Sequence, residues 1–306
     1  GLSVAAIPEG LPAVLTITLA VGVQSMARRN AIVRRLPAIE TIGSVSVICT
    51  DKTGTLTRNE MMVSSVLTHQ HLFTLQGIGY EPQGTLLLEN TEVSPAEYSV
   101  LEELSRAATL CNDAALHDHE GVWVVEGDPM EGALLAFANK IGIEIRKEQA
   151  AWTRTDAIPF DAKHRFMATL NHDHEHHAFV FIKGAPEQIL AMCNAQSVTD
   201  GDMAPLDKAY WQEKADSIAA LGQRVLAFAV KPVQSEHTVL ERTDIESTLT
   251  LLGMTGMIDP PRVEAIAAVA ECHTAGIRVK MITGDHAKTA TAIGKQIGLQ
   301  NPSKVL

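Results

Sequence analysis

At 306 residues the chain has room for about two folded domains, and its formal net charge of -11 is the wrong sign for a nucleic-acid surface, which needs clustered cations. A hydrophobic fraction of 46% is that of a folded protein. The four cysteines (Cys49, Cys111, Cys193, Cys272) are scattered without a C-x-x-C pair, which argues against a disulfide framework and for a reducing compartment.

The chain opens on Gly1 with no charged leader region and reads as a piece of something longer. Residues 1–27 carry one charge, Glu9, and residues 13–23 are apolar apart from two threonines and a glycine. Arg28 and Arg29 follow, as at the cytoplasmic end of a membrane helix. Pro8 and Pro12 flank Glu9. Each proline removes a backbone donor, so a helix unwinds there and frees carbonyls. A carboxylate beside freed carbonyls in an apolar segment suits a hard cation; a soluble core helix with a snorkelling glutamate would share this composition. Residues 28–44, with Arg34 and Arg35, are expected as an amphipathic helical stalk.

Residues 45–49 (Val-Ser-Val-Ile-Cys) have the β-branched, apolar pattern of a strand buried in a parallel sheet. The strand ends on Asp51-Lys52-Thr53-Gly54-Thr55-Leu56-Thr57. Ligands of open α/β sheets bind at the carboxyl ends of strands, so Asp51 stands where a catalytic group belongs. A carboxylate there can attack a phosphoryl group, while Lys52 and amides around Gly54 hold its oxygens.

Beyond residue 61 the pattern changes to short strands (62–67, 72–75), a Gly/Pro turn region at 77–84 and a helix over 95–110 with Ser94 as N-cap. A hairpin around 122–125 precedes Gly127-Asp128-Pro129-Met130-Glu131-Gly132, which opens a second helix. Residues 166–170 and 178–182 read as paired strands around a tip, 172–177, with four histidines and two acids. That tip reads as solvated and receives no function. Lys183-Gly184-Ala185-Pro186-Glu187 lies at a strand-to-helix turn, where a lysine can meet a phosphate or a nucleotide. A helix over 210–221 leads to Arg224 at the entrance of an apolar strand. From residue 248 the parallel-sheet pattern is expected to return. It comprises a strand at 249–257, Asp259-Pro260-Pro261-Arg262, a helix at 263–274, a strand at 277–282, Thr283-Gly284-Asp285 and a helix at 287–297.

Six stretches, in this order, resemble the P-type cation-transporting ATPases of the type II, calcium-pump branch: the proline-flanked Glu9, the Asp51 motif, 127–132, 183–187, 259–262 and 283–285. The resemblance covers essentially the whole chain and implies an α/β architecture. A haloacid-dehalogenase-like doubly wound parallel sheet would form the phosphorylation domain, interrupted by an α+β nucleotide-binding domain of mainly antiparallel sheet. The implied boundaries are 1–27 for a partial membrane helix, 28–60 for the stalk and first part of the phosphorylation domain, 61–248 for the nucleotide domain and 249–306 for the second part. The family's function implies ATP-driven cation transport through an aspartyl-phosphate, with ATP and Mg²⁺ as cofactors. Ca²⁺ is the favoured ion, and Mn²⁺ and Na⁺ remain open. It also implies a multi-pass membrane protein whose residues from about 28 onward are cytoplasmic, partnered by an actuator domain.

Carried over to this chain, Asp51 is the phosphorylated nucleophile, with Lys52 and Thr53 as its phosphate neighbours. Asp51 and Thr53 are also expected to serve Mg²⁺. Thr283 and Gly284 are expected to bind the phosphoryl group, while Asp285 and Asp259 shape the pocket. Phe160 would stack on adenine, Glu131 would contact its amino edge, Lys183 and Gly184 would line the pocket, and Arg165 and Arg224 would reach toward the phosphates. Lys163 can share the Arg165 role, and Glu9 is the expected ligand of the transported cation. The family's downstream Gly-Asp-Gly-x-Asn-Asp segment and its phosphate lysine do not occur before Leu306, so the chain is expected to bind nucleotide better than it turns over. A soluble phosphatase of the dehalogenase superfamily is the alternative, as is a non-catalytic ATP-binding fragment. Such phosphatases carry an acidic general acid two residues after the nucleophile, where this chain has Thr53.

Overall fold

The computed structural model describes residues 10–35, 38–198, 202–284 and 287–303. Helix α1 (Leu11–Arg28) has a proline in its first turn, where the missing N–H needs no partner. It ends where Asn30 turns left-handed at φ 61° and the Arg29 and Ala31 amides fold back onto the Met26 carbonyl. A short helix, α2 (Ala38–Gly43), follows. The continuous stalk expected over 28–44 is therefore broken just past its first residue. No residue of α1 is buried.

Strand β1 (Val47–Asp51) leads through a turn to β2 (Met62–Leu67), β3 (Leu72–Gly77), β4 (Gly84–Leu88) and β5 (Thr91–Glu92). A 3₁₀ turn at Pro95–Glu97 precedes α3 (Ser99–Leu110). Ser94 makes no capping bond, contrary to expectation. Tyr98 leaves helical geometry (φ -129°, ψ 89°) and packs its ring edge-on against Phe73 and His71. The hairpin of β6 (Ala115–His119) and β7 (Val122–Glu126) runs into α4 (Pro129–Ile141). Asp128 caps α4, its Oδ1 accepting from the Met130 and Glu131 amides at 2.8 and 3.3 Å.

Helix α5 (Ile145–Ala151) is followed by β8 (Thr153–Asp161), β9 (Phe166–His172) and β10 (Ala178–Gly184). Next come α6 (Pro186–Met192), β11 (Cys193–Ser197), β12 (Met203–Pro205), α7 (Lys208–Ala220), β13 (Arg224–Val233) and α8 (Arg242–Ile245). Strand β14 (Leu249–Ile258), α9 (Val263–Thr274), β15 (Arg278–Ile282) and α10 (Ala287–Ile297) complete the order.

Among the described residues, eleven strands form one sheet in the order β5-β4-β3-β2-β14-β13-β10-β9-β8, with β11 beside β14 and β12 beside β11. The expectation that 249–257 belongs to a parallel sheet is corrected here. Strand β14 is antiparallel to β13 and to β2, at the middle of the large sheet, and its one parallel neighbour is β11. The physical reason is that both faces of β14 are covered. Leu252 and Met257 pack with Leu104, Leu134 and Phe137 beneath α3 and α4, while Leu249, Leu251 and Met254 pack with Ile189, Trp211 and Ile218 beneath α6 and α7. A strand buried on both sides reads as an unbroken apolar run whichever way its neighbours point. Each such side chain contributes about 1.5–3 kcal/mol of burial.

Among the described residues, β1 and β15 form a separate two-stranded parallel sheet, with Asp51 opposite Ile282. Its core is Leu56, Val269, Val279, Ile293 and Ile297. Strand β1, expected as buried, leaves Ile48 37% exposed. Among the described residues it has a neighbour on one edge alone.

Candidate functional site

Two groups of candidate residues lie at the ends of these sheets. The first surrounds Asp51. The parallel register puts Asp51 opposite Ile282, so Thr283 and Gly284 leave the pair at the strand end that carries Asp51. The Lys52 amide donates to Asp51 Oδ1 at 2.7 Å, and the Lys52 side chain is buried. Asp51 and Thr53 are exposed. The turn from Lys52 to Leu56 passes through Gly54 at φ 73°, a left-handed conformation that a residue with a Cβ resists. Asp285 and Glu9 lie outside the described residues.

The turn is braced from behind by residues that the sequence reading left without a role or gave a different one. Thr57 Oγ1 lies 2.6 Å from Asp259 Oδ2 and 3.2 Å from the Lys52 carbonyl, and accepts from the Gly54 amide at 3.4 Å. Its single proton goes to the carboxylate, the shorter and charge-assisted bond. Asp259 Oδ1 accepts from the Glu60 amide at 3.3 Å. Arg262 donates from Nε to the Thr57 carbonyl at 2.9 Å, from its guanidinium to the Gly54 carbonyl at 3.2 Å and from its amide to the Leu56 carbonyl at 2.8 Å. Asp259 and Arg262 thus stitch together the two chain segments that join the parallel pair to the large sheet. Thr57, the last residue of the Asp51 motif, was the sequence signal that could have found this brace.

The second group lies at one end of the large sheet. Antiparallel register aligns Asp161, Phe166, Gly184 and Ala227 in a row across β8, β9, β10 and β13. Phe160 precedes the row and is 63% exposed. The turn after it is fixed by Asp161, whose carboxyl the Lys163 and His164 amides hold below its usual range. Lys183 on β10 is buried, and its Nζ donates to Glu131 Oε1 at 2.5 Å. Glu131 reaches it from the first turn of α4. Gly184 is needed for close approach: a Cβ there would stand 2.5 Å from the Arg165 carbonyl. Arg224, at the same end of β13, lays its guanidinium on Met130 Sδ at 2.9 Å, beside Glu131. Arg165, expected to reach toward phosphates, pairs with Glu187 at 2.6 Å. Both side chains are half exposed, so the pair is worth little to stability.

The histidine-rich tip brings ligand atoms of Asp173, Glu175 and His177 within 4.8 Å of one another. Asp173 closes that turn by accepting from the Glu175 and His177 amides and from the His177 ring, which accounts for the cluster. A cavity of about 960 Å³ between the end of α7, Ile258, Pro260 and α10 contains none of the candidate residues.

The family model for the cytoplasmic domain N of P-type ATPases matches residues 100–264. The chain is 47% identical over 303 residues to a cation-transporting ATPase of Synechocystis sp., covering 97% of this chain and 33% of that protein. It is 38% identical over 301 residues to a calcium-transporting ATPase of Bacillus subtilis, covering 97% and 34%. Identity is 37% over 305 residues to calcium-transporting ATPase type 2C member 1 of Mus musculus, covering 97% and 31%. The chain spans about a third of the length of these relatives. With more than half of its residues inside the matched domain, the chain belongs to the P-type ATPase family.

Proposed function

We propose that this chain is the nucleotide-binding and phosphorylation part of an ATP-driven cation pump. The observation that carries the reading is the rim at Asp51: an exposed carboxylate at a parallel strand end, beside the Thr283 strand end. In this reading the large sheet with its helices, 61–258, binds ATP; it includes β14, which the sequence assigned elsewhere. Strands β1 and β15 with α9 and α10 are part of a haloacid-dehalogenase-like phosphorylation domain. Helix α1, long and apolar enough to cross a membrane, is the end of a membrane helix, and residues from about 28 onward are cytoplasmic. The names of the Bacillus subtilis and Mus musculus relatives favour Ca²⁺ over Mn²⁺ or Na⁺. Glu9 is the proposed cation ligand, and an actuator domain outside this chain the proposed partner.

The chemistry follows from the residues. Phe160 stacks on the adenine and Glu131 accepts from its amino group, while Lys183, Gly184 and Arg224 line the rest of the cleft. An Asp51 carboxylate oxygen attacks the γ-phosphorus, a new O–P bond forms, and ADP leaves with the electron pair of the bond that breaks. Lys52, Thr53, Thr283 and Gly284 stabilise the phosphoryl oxygens. The Asp51 carboxylate and the Thr53 carbonyl are hard oxygen donors that fit Mg²⁺, which when bound neutralises charge on the phosphate. Thr53 stands where a phosphatase carries its general acid, so the acyl-phosphate persists long enough to drive transport.

In the full-length protein, Asp51→Asn should abolish hydroxylamine-labile phosphoprotein formed from γ-labelled ATP while sparing ATP binding. Label retained in that variant would sink the assignment. Glu9→Gln should alter the cation dependence of the same signal; superimposable Ca²⁺, Mn²⁺ and Na⁺ activation curves would remove the calcium reading.

A further inference from the structure

The Lys183–Glu131 pair is held by a layer of residues that no part of the proposed reaction uses. Helix α3 ends at Leu110, and the last carbonyls of a helix need partners from outside it. Arg154, entering on β8, supplies them: its guanidinium donates to the Leu110 carbonyl at 2.8 Å and to the Asn112 carbonyl at 2.6 Å. It also pairs with Asp113 Oδ1 at 2.6 Å. A cation at a helix C-terminus further suits the helix dipole. Asn112 is 3% exposed and uses every polar atom of its side chain. Its Nδ2 donates to the Ala108 and Glu131 carbonyls at 3.1 and 3.0 Å, and its Oδ1 accepts from the Ala114 amide at 2.9 Å.

The product of these bonds is one oriented amide. The Asp113 N–H donates to Glu131 Oε2 at 3.0 Å, opposite the Lys183 ammonium on Oε1. The carboxylate plane is thereby fixed, and its remaining lone pairs accept N–H donors from a fixed direction. An exocyclic amino group offers such a donor; a carbonyl in the same place presents an acceptor and is repelled. That difference separates adenine from guanine.

We propose that Arg154, Asn112 and Asp113 are positioning residues that set the preference for adenine over guanine nucleotides by orienting Glu131. This rests on Glu131 facing the base, as proposed above. The test is calorimetric titration of the 306-residue chain with ATP and with GTP, beside its thermal unfolding. Arg154→Met should reduce the ATP-over-GTP preference about tenfold, the weight of one charge-assisted hydrogen bond. Arg154→Lys, which keeps the charge but loses the fork, should fall between. In a Glu131→Ala background Arg154→Met should leave the preference unchanged within about twofold, because the two changes act through one group.

A brace that serves stability alone would lower the melting temperature and weaken ATP and GTP equally, which would overturn the proposal. A Glu131→Ala variant that loses the preference while Arg154→Met keeps it would overturn the proposal and leave the nucleotide site standing. A Glu131→Ala variant with undiminished preference would remove the nucleotide site and this inference with it. If Arg154→Met does not fold, Arg154→Lys, which keeps the charge and loses the fork, is read by the same criterion.

Discussion

The large antiparallel sheet and the parallel β1–β15 pair are built on different terms. The sheet is packed on both faces, with Leu104, Phe137 and Leu252 in one layer and Leu170, Trp211 and Met254 in the other. Among the described residues, the parallel pair rests on five buried side chains, and Ile48 and Ile282 on its strands remain 37% and 60% exposed. The region that would recognise the nucleotide therefore carries its own stability, whereas the region that would be phosphorylated depends on the short brace of Thr57, Asp259 and Arg262.

Cavities in the two cores test this contrast most severely. Phe137→Ala, at 1% exposure on α4, should cost roughly 3–5 kcal/mol and abolish ATP binding at moderate temperature. Val279→Ala, in the core of the parallel pair, removes two buried carbon groups and should cost about 2 kcal/mol while leaving calorimetric ATP affinity near wild type. Joint loss of ATP binding in both variants would mean that the two regions fold as one unit.

The brace is the next place to press. Thr57→Val keeps the shape but leaves Asp259 Oδ2 without its donor, at a cost of about 1–3 kcal/mol. Hydrogen exchange should quicken at the Gly54 and Glu60 amides and stay unchanged at the centre of β14. Uniform acceleration through the large sheet would contradict the view that the brace belongs to the small region.

The smallest effect concerns acid and the edge strand β8. The Leu240 amide, and then the Ala157 amide, hold the Asp156 carboxyl below its usual range. Because the folded value is the lower one, this tie stabilises above the ordinary carboxylate range and is lost as pH falls through the depressed value. The Leu240 amide resonance should shift in that acid window, and Asp156→Asn should remove the transition. A Leu240 resonance that titrates unchanged in that variant would assign the tie to another group.

The candidate site was legible in the sequence where chemistry needs ordered residues along the chain. Asp51 through Thr57, Lys183 through Glu187 and the capped turn at Asp128 all stand at the element ends that their residue types imply, since a strand end, a glycine at positive φ and an N-cap are local choices. The alternating and continuous apolar runs likewise gave most strands and helices. Long-range pairing was not legible. The apolar face of β14 fits a parallel or an antiparallel neighbour equally, and only the helices packed on both sides decided which sheet it joined. The same holds for the polar contacts. Nothing local says that Arg154 reaches the end of α3, that Arg165 turns to Glu187, or that Thr57 meets Asp259 some 200 residues away. Side-chain direction within an element follows from the backbone, but the partner at the other end is fixed only when separate elements are brought together by their buried faces.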